Sequence, residues 1–277
     1  MDLLHTIPEL RARLKGVGRI ALVPTMGNLH DGHLSLVEKA RSLGDCVVAT
    51  IFVNRLQFEP GGDFDRYPRT LVRDCEMLAR AGCDVVFAPD EAELYPVPQE
   101  IRVKPPKVAT MLEGEFRSGH FEGVATVVSK LFNIVQPDVG VFGKKDYQQL
   151  QVIRALVQQL DFPIEIVGGE TVREPDGLAM SSRNGYLDAE ERQEAVRLSR
   201  NLKHIRREIE GGSRDFARLQ EAATADLASH GWKVDYIAVR NRDGLQAPGP
   251  EDRSLVVLGA AWLGRTRLID NIEVDAP

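Results

Sequence analysis

The chain has 277 residues, 43% of them hydrophobic, 27% charged and 6% aromatic, which suits roughly two globular domains and excludes a disordered chain, a coiled coil or a collagen. With 35 basic against 41 acidic side chains the net charge is −6, an acidic balance that argues against a nucleic-acid partner. The longest apolar run, Leu255 to Leu263, spans nine residues including a glycine, whereas a spanning helix needs about 20, so no membrane partner is expected.

The first ten residues carry Asp2 and Glu9 and lack the basic and apolar regions of a secretory signal. Cys46, Cys75 and Cys83 are odd in number and form no CxxC pair, which indicates neither a disulfide framework nor a zinc site. A reducing cytoplasm is the expected setting.

Short β-branched runs then alternate with helical patterns. Arg19–Val23, Cys46–Val53, Asp84–Ala88, Val139–Phe142 and Ile164–Val167 read as strands. His33–Leu43, Thr70–Ala81, Phe121–Val135 and Asp146–Leu160 read as the helices between them. Strand–helix–strand alternation implies right-handed crossovers and an open parallel sheet. After about residue 171 the grammar changes. Helices over Asp188–Glu210 and Arg214–Ser229 precede strands at Val234–Val239, Ser254–Leu258 and Arg267–Ile272. The expected fold is therefore α/β: a Rossmann-like parallel-sheet domain over residues 1–171 and a smaller α+β C-terminal lid domain over 172–277.

Ligands of open parallel sheets bind outside the carboxyl ends of the strands, and the unusual segments fall there. Pro24-Thr25-Met26-Gly27-Asn28-Leu29-His30-Asp31-Gly32-His33 follows the first run. Its two histidines stand three apart where a helix begins, so they share a face. The free N–H groups and positive dipole of a helix start suit a triphosphate. A lone histidine here would more often be a helix cap; the whole decapeptide at a strand end favours a ligand role. Asn54-Arg55-Leu56-Gln57-Phe58 follows the second run, Gly143-Lys144-Lys145-Asp146 the fourth, and a segment with Val172 and Met180-Ser181-Ser182-Arg183 the fifth.

Lys145 could neutralise phosphate oxygens or be a solvated loop residue, and Asp146 could cap the next helix. Ser181, Ser182 and Arg183 could hold β- and γ-phosphates or be plain linker. Gln57 and Gln149 can each donate and accept, which suits a substrate with hydroxyls and a carboxylate. His120 reads as structural; His5, His204 and His230 read as incidental. No P-loop, no G-x-S-x-G elbow and no G-x-G-x-x-G after the first run is present, which disfavours a P-loop kinase, an α/β-hydrolase and a common dinucleotide dehydrogenase.

The His-x-x-His segment resembles the signature of the nucleotidyltransferase superfamily, and Met-Ser-Ser-Arg resembles its second phosphate-binding signature. Within it, PTMGNLHDGH, FVNRLQF with DFDRYPRT, GHFEGVATVV, GKKDYQQ and REPDGLAMSSRN resemble, in order and spacing, the pantoate–β-alanine ligase family. That resemblance implies a homodimer that converts ATP and (R)-pantoate to pantoyl adenylate and pyrophosphate. β-Alanine then attacks to give pantothenate and AMP.

It further implies an ATP site of Met26, Gly27, Asn28, Leu29, His30, Asp31, Gly32, His33, Gly143, Lys144, Lys145, Asp146, Val172, Met180, Ser181, Ser182 and Arg183. His30, His33 and Lys145 are its catalytic set. Gln57 and Gln149 would bind pantoate, with Gln57 also near β-alanine. Mg²⁺ would arrive with ATP, and Asp74 falls where the family has a carboxylate near that ion. Two departures are visible: Arg55 where the family usually has proline, and Lys144 where it commonly has glutamate. Arg55 adds a charge beside the expected pantoate site, and Lys144 makes the phosphate loop more basic. A mononucleotide adenylyltransferase that keeps AMP on its product, or a regulatory module without catalysis, are the alternatives, both disfavoured by the residue set.

Overall fold

The computed structural model describes residues 1–59, 61 and 64–277. Asp63, part of the DFDRYPRT motif, lies outside them. The chain divides into two compact units, one of residues 1–144 and 152–170, the other of 145–151 and 171–277.

The first unit is built on six parallel strands. They are β1 (Asp2–Leu4), β2 (Ile20–Thr25), β3 (Cys46–Ile51), β4 (Val85–Phe87), β5 (Val139–Gly143) and β6 (Glu165–Gly169), in the order β1-β4-β3-β2-β5-β6. The five expected runs are all strands. β1 is a sixth, which pairs with β4 at the sheet edge. It is illegible in the sequence because three residues, two of them exposed, show no period.

The helices of this unit are α1 (Ile7–Leu14), α2 (Asp31–Arg41), α3 (Leu71–Arg80), α4 (Glu91–Leu94), α5 (Glu113–Phe116), α6 (His120–Val135) and α7 (Tyr147–Gln159). The first residues of α7 cluster with the second unit. Helix α1, also unforeseen, starts on a capping box in which Thr6 accepts from the Glu9 N–H while Glu9 reaches back to Thr6. The core on one face of the sheet joins Val23, Val47, Ala49, Val86 and Val141 to Leu36, Val37 and Leu78 of α2 and α3. Central parallel strands are buried on both faces, which is why these runs read as continuously apolar.

Successive strands run outward from β2 to β3 to β4 in one direction and from β5 to β6 in the other. The direction of winding reverses where β2 and β5 lie side by side. Such a switch point opens a crevice at the strands' carboxyl ends. Thr25 ends β2 and Gly143 ends β5 there.

The second unit has helices α8 (Ala189–Glu194), α9 (Val196–Glu210) and α10 (Phe216–Ser229) and strands β7 (Lys233–Asn241), β8 (Ser254–Leu263) and β9 (Thr266–Asp275). The strands form an antiparallel sheet in the order β7-β8-β9. Leu198, Leu202, Ile205 and Ile209 of α9 pack with Leu219, Ala223 and Leu227 of α10 against Ile237, Val239, Leu255, Val257 and Val274. The expected single helix over Asp188–Glu210 is two, divided at Ala195. The apolar stripe begins only at Val196, and the polar turn before it is held by its own Asp188–Glu191 capping box.

Candidate functional site

The segment after β2 is shaped by its backbone. Gly27 has φ +80 and Asn28 φ +50, a left-handed pair that glycine and asparagine tolerate best. Gly27 is also closely packed: a Cβ there would lie 3.0 Å from Asp74 Oδ2 and 3.1 Å from Ile51 Cγ2. Leu29, assigned to ATP from the sequence, is buried in the core. Asp31, also assigned to ATP, is exposed in the first turn of α2, where a carboxylate suits the dipole.

His30 is the N-cap of α2 in extended conformation. Its Nδ1 accepts from the N–H of Gly32 at 3.1 Å, while His33 Nδ1 accepts from the N–H of His30 at 3.3 Å. The ring centroids are 4.1 Å apart. The pair is thus a capping box made of two imidazoles. Capping and ligand roles, set against each other at the level of sequence, are compatible. With each Nδ1 accepting, a neutral ring carries its proton on Nε2. The arrangement sets two imidazole rings side by side at the positive end of a helix, at the carboxyl end of the sheet.

Asp74 was expected near a metal ion. It is fully buried, and its oxygens accept from the N–H of Asn28 and of Leu29 and from the Thr70 hydroxyl. These bonds tie α3 to the loop that leads into α2. Among the described residues no group of three or more His, Cys, Asp or Glu is placed to hold a metal ion.

Gln57 closes a 3₁₀ turn, Arg55–Gln57, after β3. It is buried, unlike an ordinary surface glutamine. Asn54 Nδ2 donates to Gln57 Oε1 at 3.2 Å and to the Gly123 carbonyl at 3.1 Å, and Asn54 Oδ1 accepts from Tyr95 Oη at 2.8 Å. Burial pushes the Tyr95 phenol far above its ordinary range, so it remains a donor. Thus pinned, the Gln57 amide aims Nε2 at Met26 Sδ, 3.1 Å away. A thioether is a weak acceptor, so a ligand oxygen could replace it at small cost. Met26 and Gln57, both assigned from the sequence, are therefore brought together.

His120 is buried and its Nδ1 lies 2.9 Å from the Gln57 carbonyl. Its contact supports the turn that carries Gln57. Asn54, Tyr95 and Gly123 were not singled out from the sequence. For Asn54 the signal was available: asparagine just before a helical turn is a cap, and its Oδ1 accepts from the Leu56 N–H. The other two act through tertiary contacts that no local pattern carries.

Both departures from the family pattern are absorbed. Arg55 pairs with Glu91 at 3.1 Å and stacks over the Phe64 ring at 4.0 Å, leaving the turn of Gln57 intact. Lys144 pairs with Glu170 at 2.7 Å, so its charge is offset and the loop is less basic than its sequence reads. Gly143 pairs in register with Gly169 at the end of β5.

In the second unit, Lys145 and Asp146 lead through a 3₁₀ turn into α7. The Lys145 carbonyl accepts from Asn271 Nδ2 at 2.8 Å. Lys145 Nζ lies 3.9 Å from Asp146 Oδ2. Gln149 follows, half-buried, on the first turn of α7. The segment from Val172 is no plain linker. Met180 N–H bonds to the Val172 carbonyl, Arg173 bridges Ala179, and Arg173 is bidentate to buried Asp270 at 2.7 and 2.9 Å. Ser181 then caps a 3₁₀ turn, Ser182–Tyr186, by accepting from the Arg183 N–H. Met180, Ser181, Ser182 and Arg183 are all half-buried.

A six-stranded parallel sheet with polar groups at its carboxyl edge is the arrangement in which α/β proteins bind small ligands. Comparison with known proteins makes this specific. The family model "Pantoate-beta-alanine ligase" matches residues 2–273. Pantothenate synthetase of Nitrosospira multiformis is 60% identical over 99% of this chain and 98% of its own length. That of Thiobacillus denitrificans is 59% identical over 100% and 98%. The crystal structure of pantothenate synthetase from Thermus thermophilus superimposes with a TM-score of 0.94 at 45% identity, covering 99% of this chain and 100% of that one. A pantoate-β-alanine ligase from Francisella tularensis, solved as a complex with "Beta-gamma ATP" and β-alanine, gives 0.84 at 35% identity over 98% and 97%. This chain belongs to the pantoate–β-alanine ligase family, and it is a ligase.

Proposed function

We propose that this ligase activates pantoate with ATP as an enzyme-bound pantoyl adenylate and then transfers the acyl group to β-alanine. The observation that carries the ATP half is the reciprocal histidine cap of α2, which sets two imidazole rings side by side at a helix N-terminus. Such a site stabilises the charge that grows on departing pyrophosphate. The Francisella relative in complex with "Beta-gamma ATP" and β-alanine supports the same substrates.

The pantoate carboxylate is already ionised and needs no base to attack the α-phosphorus. Catalysis is then positioning plus charge stabilisation. The mixed anhydride so formed carries its activating group as AMP. The amine of β-alanine attacks the acyl carbon, the bond to the phosphate oxygen breaks, and AMP leaves with that oxygen. Gln57, pinned by Asn54, is the donor for pantoate oxygens and later faces β-alanine. Gln149 shares the pantoate role. Met26 to His33, Gly143 to Asp146, Val172 and Met180 to Arg183 belong to the nucleotide side, with Lys145 on a phosphate. Mg²⁺ enters as part of the substrate MgATP. A homodimer and a cytoplasmic setting complete the reading.

ATP–pyrophosphate exchange tests it. Exchange is expected with pantoate present and β-alanine absent. Exchange that is indifferent to pantoate would refute the adenylate.

A further inference from the structure

The Asp74 carboxylate on α3 is fully buried and accepts from three neutral donors. Two are consecutive main-chain N–H groups, those of Asn28 and Leu29, each at 2.9 Å. The third is the Thr70 hydroxyl, 3.1 and 3.0 Å from the two oxygens. Thr70 is the N-cap residue of α3 but makes no side-chain cap bond; its hydroxyl goes to the carboxylate instead. A single buried anion therefore gathers a left-handed backbone turn, Gly27 and Asn28, that ends two residues before the N-cap histidine of α2.

We propose that Asp74 is the positioning residue of the His30–His33 pair, acting through the Asn28–Leu29 backbone. Without it the buried Leu29 N–H would lose its partner, and the left-handed Asn28 would lose a bond to its own N–H. Leu29 is joined directly to His30, so the carboxylate sets where the N-cap falls and hence where both rings point. Its two oxygens are engaged within the protein, in a loop-holding task distinct from metal ligation. The expected effect on turnover rests on the phosphate-side reading of the histidine pair; the anchoring itself does not.

The test is Asp74→Asn in the full-length protein. The amide keeps the shape but turns one acceptor into a donor facing another donor. Amide resonances of Asn28 and Leu29 and ring ¹H–¹⁵N correlations of both histidines report the geometry, alongside kcat and KM for each substrate. The expected result is upfield-shifted Asn28 and Leu29 amide protons and loss of the fixed Nε2–H form in His30 and His33. A fall of about 10- to 100-fold in kcat should accompany it, as for a misplaced catalytic group, with KM for pantoate unchanged because Gln57 is held elsewhere. Wild-type ring correlations in the variant would overturn the proposal. Altered rings with wild-type kcat would uphold the anchoring and overturn the phosphate-side reading instead. Thr70→Val, which removes one donor and leaves the carboxylate, is expected to move the same resonances by less; it decides the matter if Asp74→Asn does not fold, unchanged resonances again overturning the proposal.

Discussion

Gly123 is where a single methyl group should separate binding of pantoate from binding of ATP. It lies in the first turns of α6, which presses on the turn bearing Gln57. A Cβ at this position would sit 2.3 Å from the Leu56 carbonyl oxygen, 2.4 Å from its carbon and 2.6 Å from the Gln57 nitrogen. All three are backbone atoms, so no rotamer change relieves the clash. Ordinary contact begins at 3.4 Å, so α6 or the turn must move by about 1 Å, a shift that in a packed core costs about 1–3 kcal/mol. The better helix propensity of alanine returns up to about 1 kcal/mol. Gly123→Ala should therefore lower the unfolding free energy by about 0–3 kcal/mol, while Gln57 and its bond from Asn54 shift by about 1 Å, enough to cost up to about 100-fold. Steady-state kinetics should show a raised KM for pantoate and β-alanine with KM for ATP unchanged. Wild-type KM values for all three substrates would refute this account of how Gln57 is held.

The double role of the histidines predicts that His30→Ala loses about 1 kcal/mol as a helix cap and about 10²–10³ in rate. His30→Asn keeps the cap acceptor, so thermal unfolding should recover while pantoate-dependent exchange does not; recovery of both would leave His30 as a cap alone. Arg55→Ala should cost at most about 1 kcal/mol, since its partner Glu91 is exposed, and should leave KM for pantoate unchanged; a large rise would show that its charge reaches the substrate. Asp226 in the second unit accepts from Asn201 and pairs with Arg197, which together hold its carboxyl below its ordinary value of 3.8. A depressed pKa stabilises the fold above the unfolded value and loses that contribution as pH falls through the folded one. The stability gap between wild type and Asp226→Asn should be full at neutral pH and close as pH drops below 3.8; a pH-independent gap would contradict this.

The parts of the fold that were legible in the sequence are those with a long apolar period. Phe121–Val135 and Ile153, Leu150 and Val157 have it, and the central strands are unbroken apolar runs because both faces are covered. β1 lacks it, and the break at Ala195 is visible only as a change from a polar turn to an amphipathic one. The site divides in the same way. His30, His33 and Gln57 stood out because such residues at strand ends are unusual. For Asp74 the sequence shows a carboxylate but not the Leu29 N–H that it faces from 45 residues away. Likewise Arg55 and Lys144 read as added charge, since Glu91 and Glu170 meet them only in the folded chain.

The central claim is that the carboxylate is activated at the α-phosphorus of ATP. Pantoate labelled with ¹⁸O in its carboxylate, turned over with ATP and β-alanine, tests it directly. The amine attacks the acyl carbon, so the bridging oxygen should leave with the nucleotide, and ¹⁸O is expected in AMP, alongside pyrophosphate. Recovery of the label in inorganic phosphate, with ADP as the nucleotide product, would mean an acyl phosphate and would contradict the account.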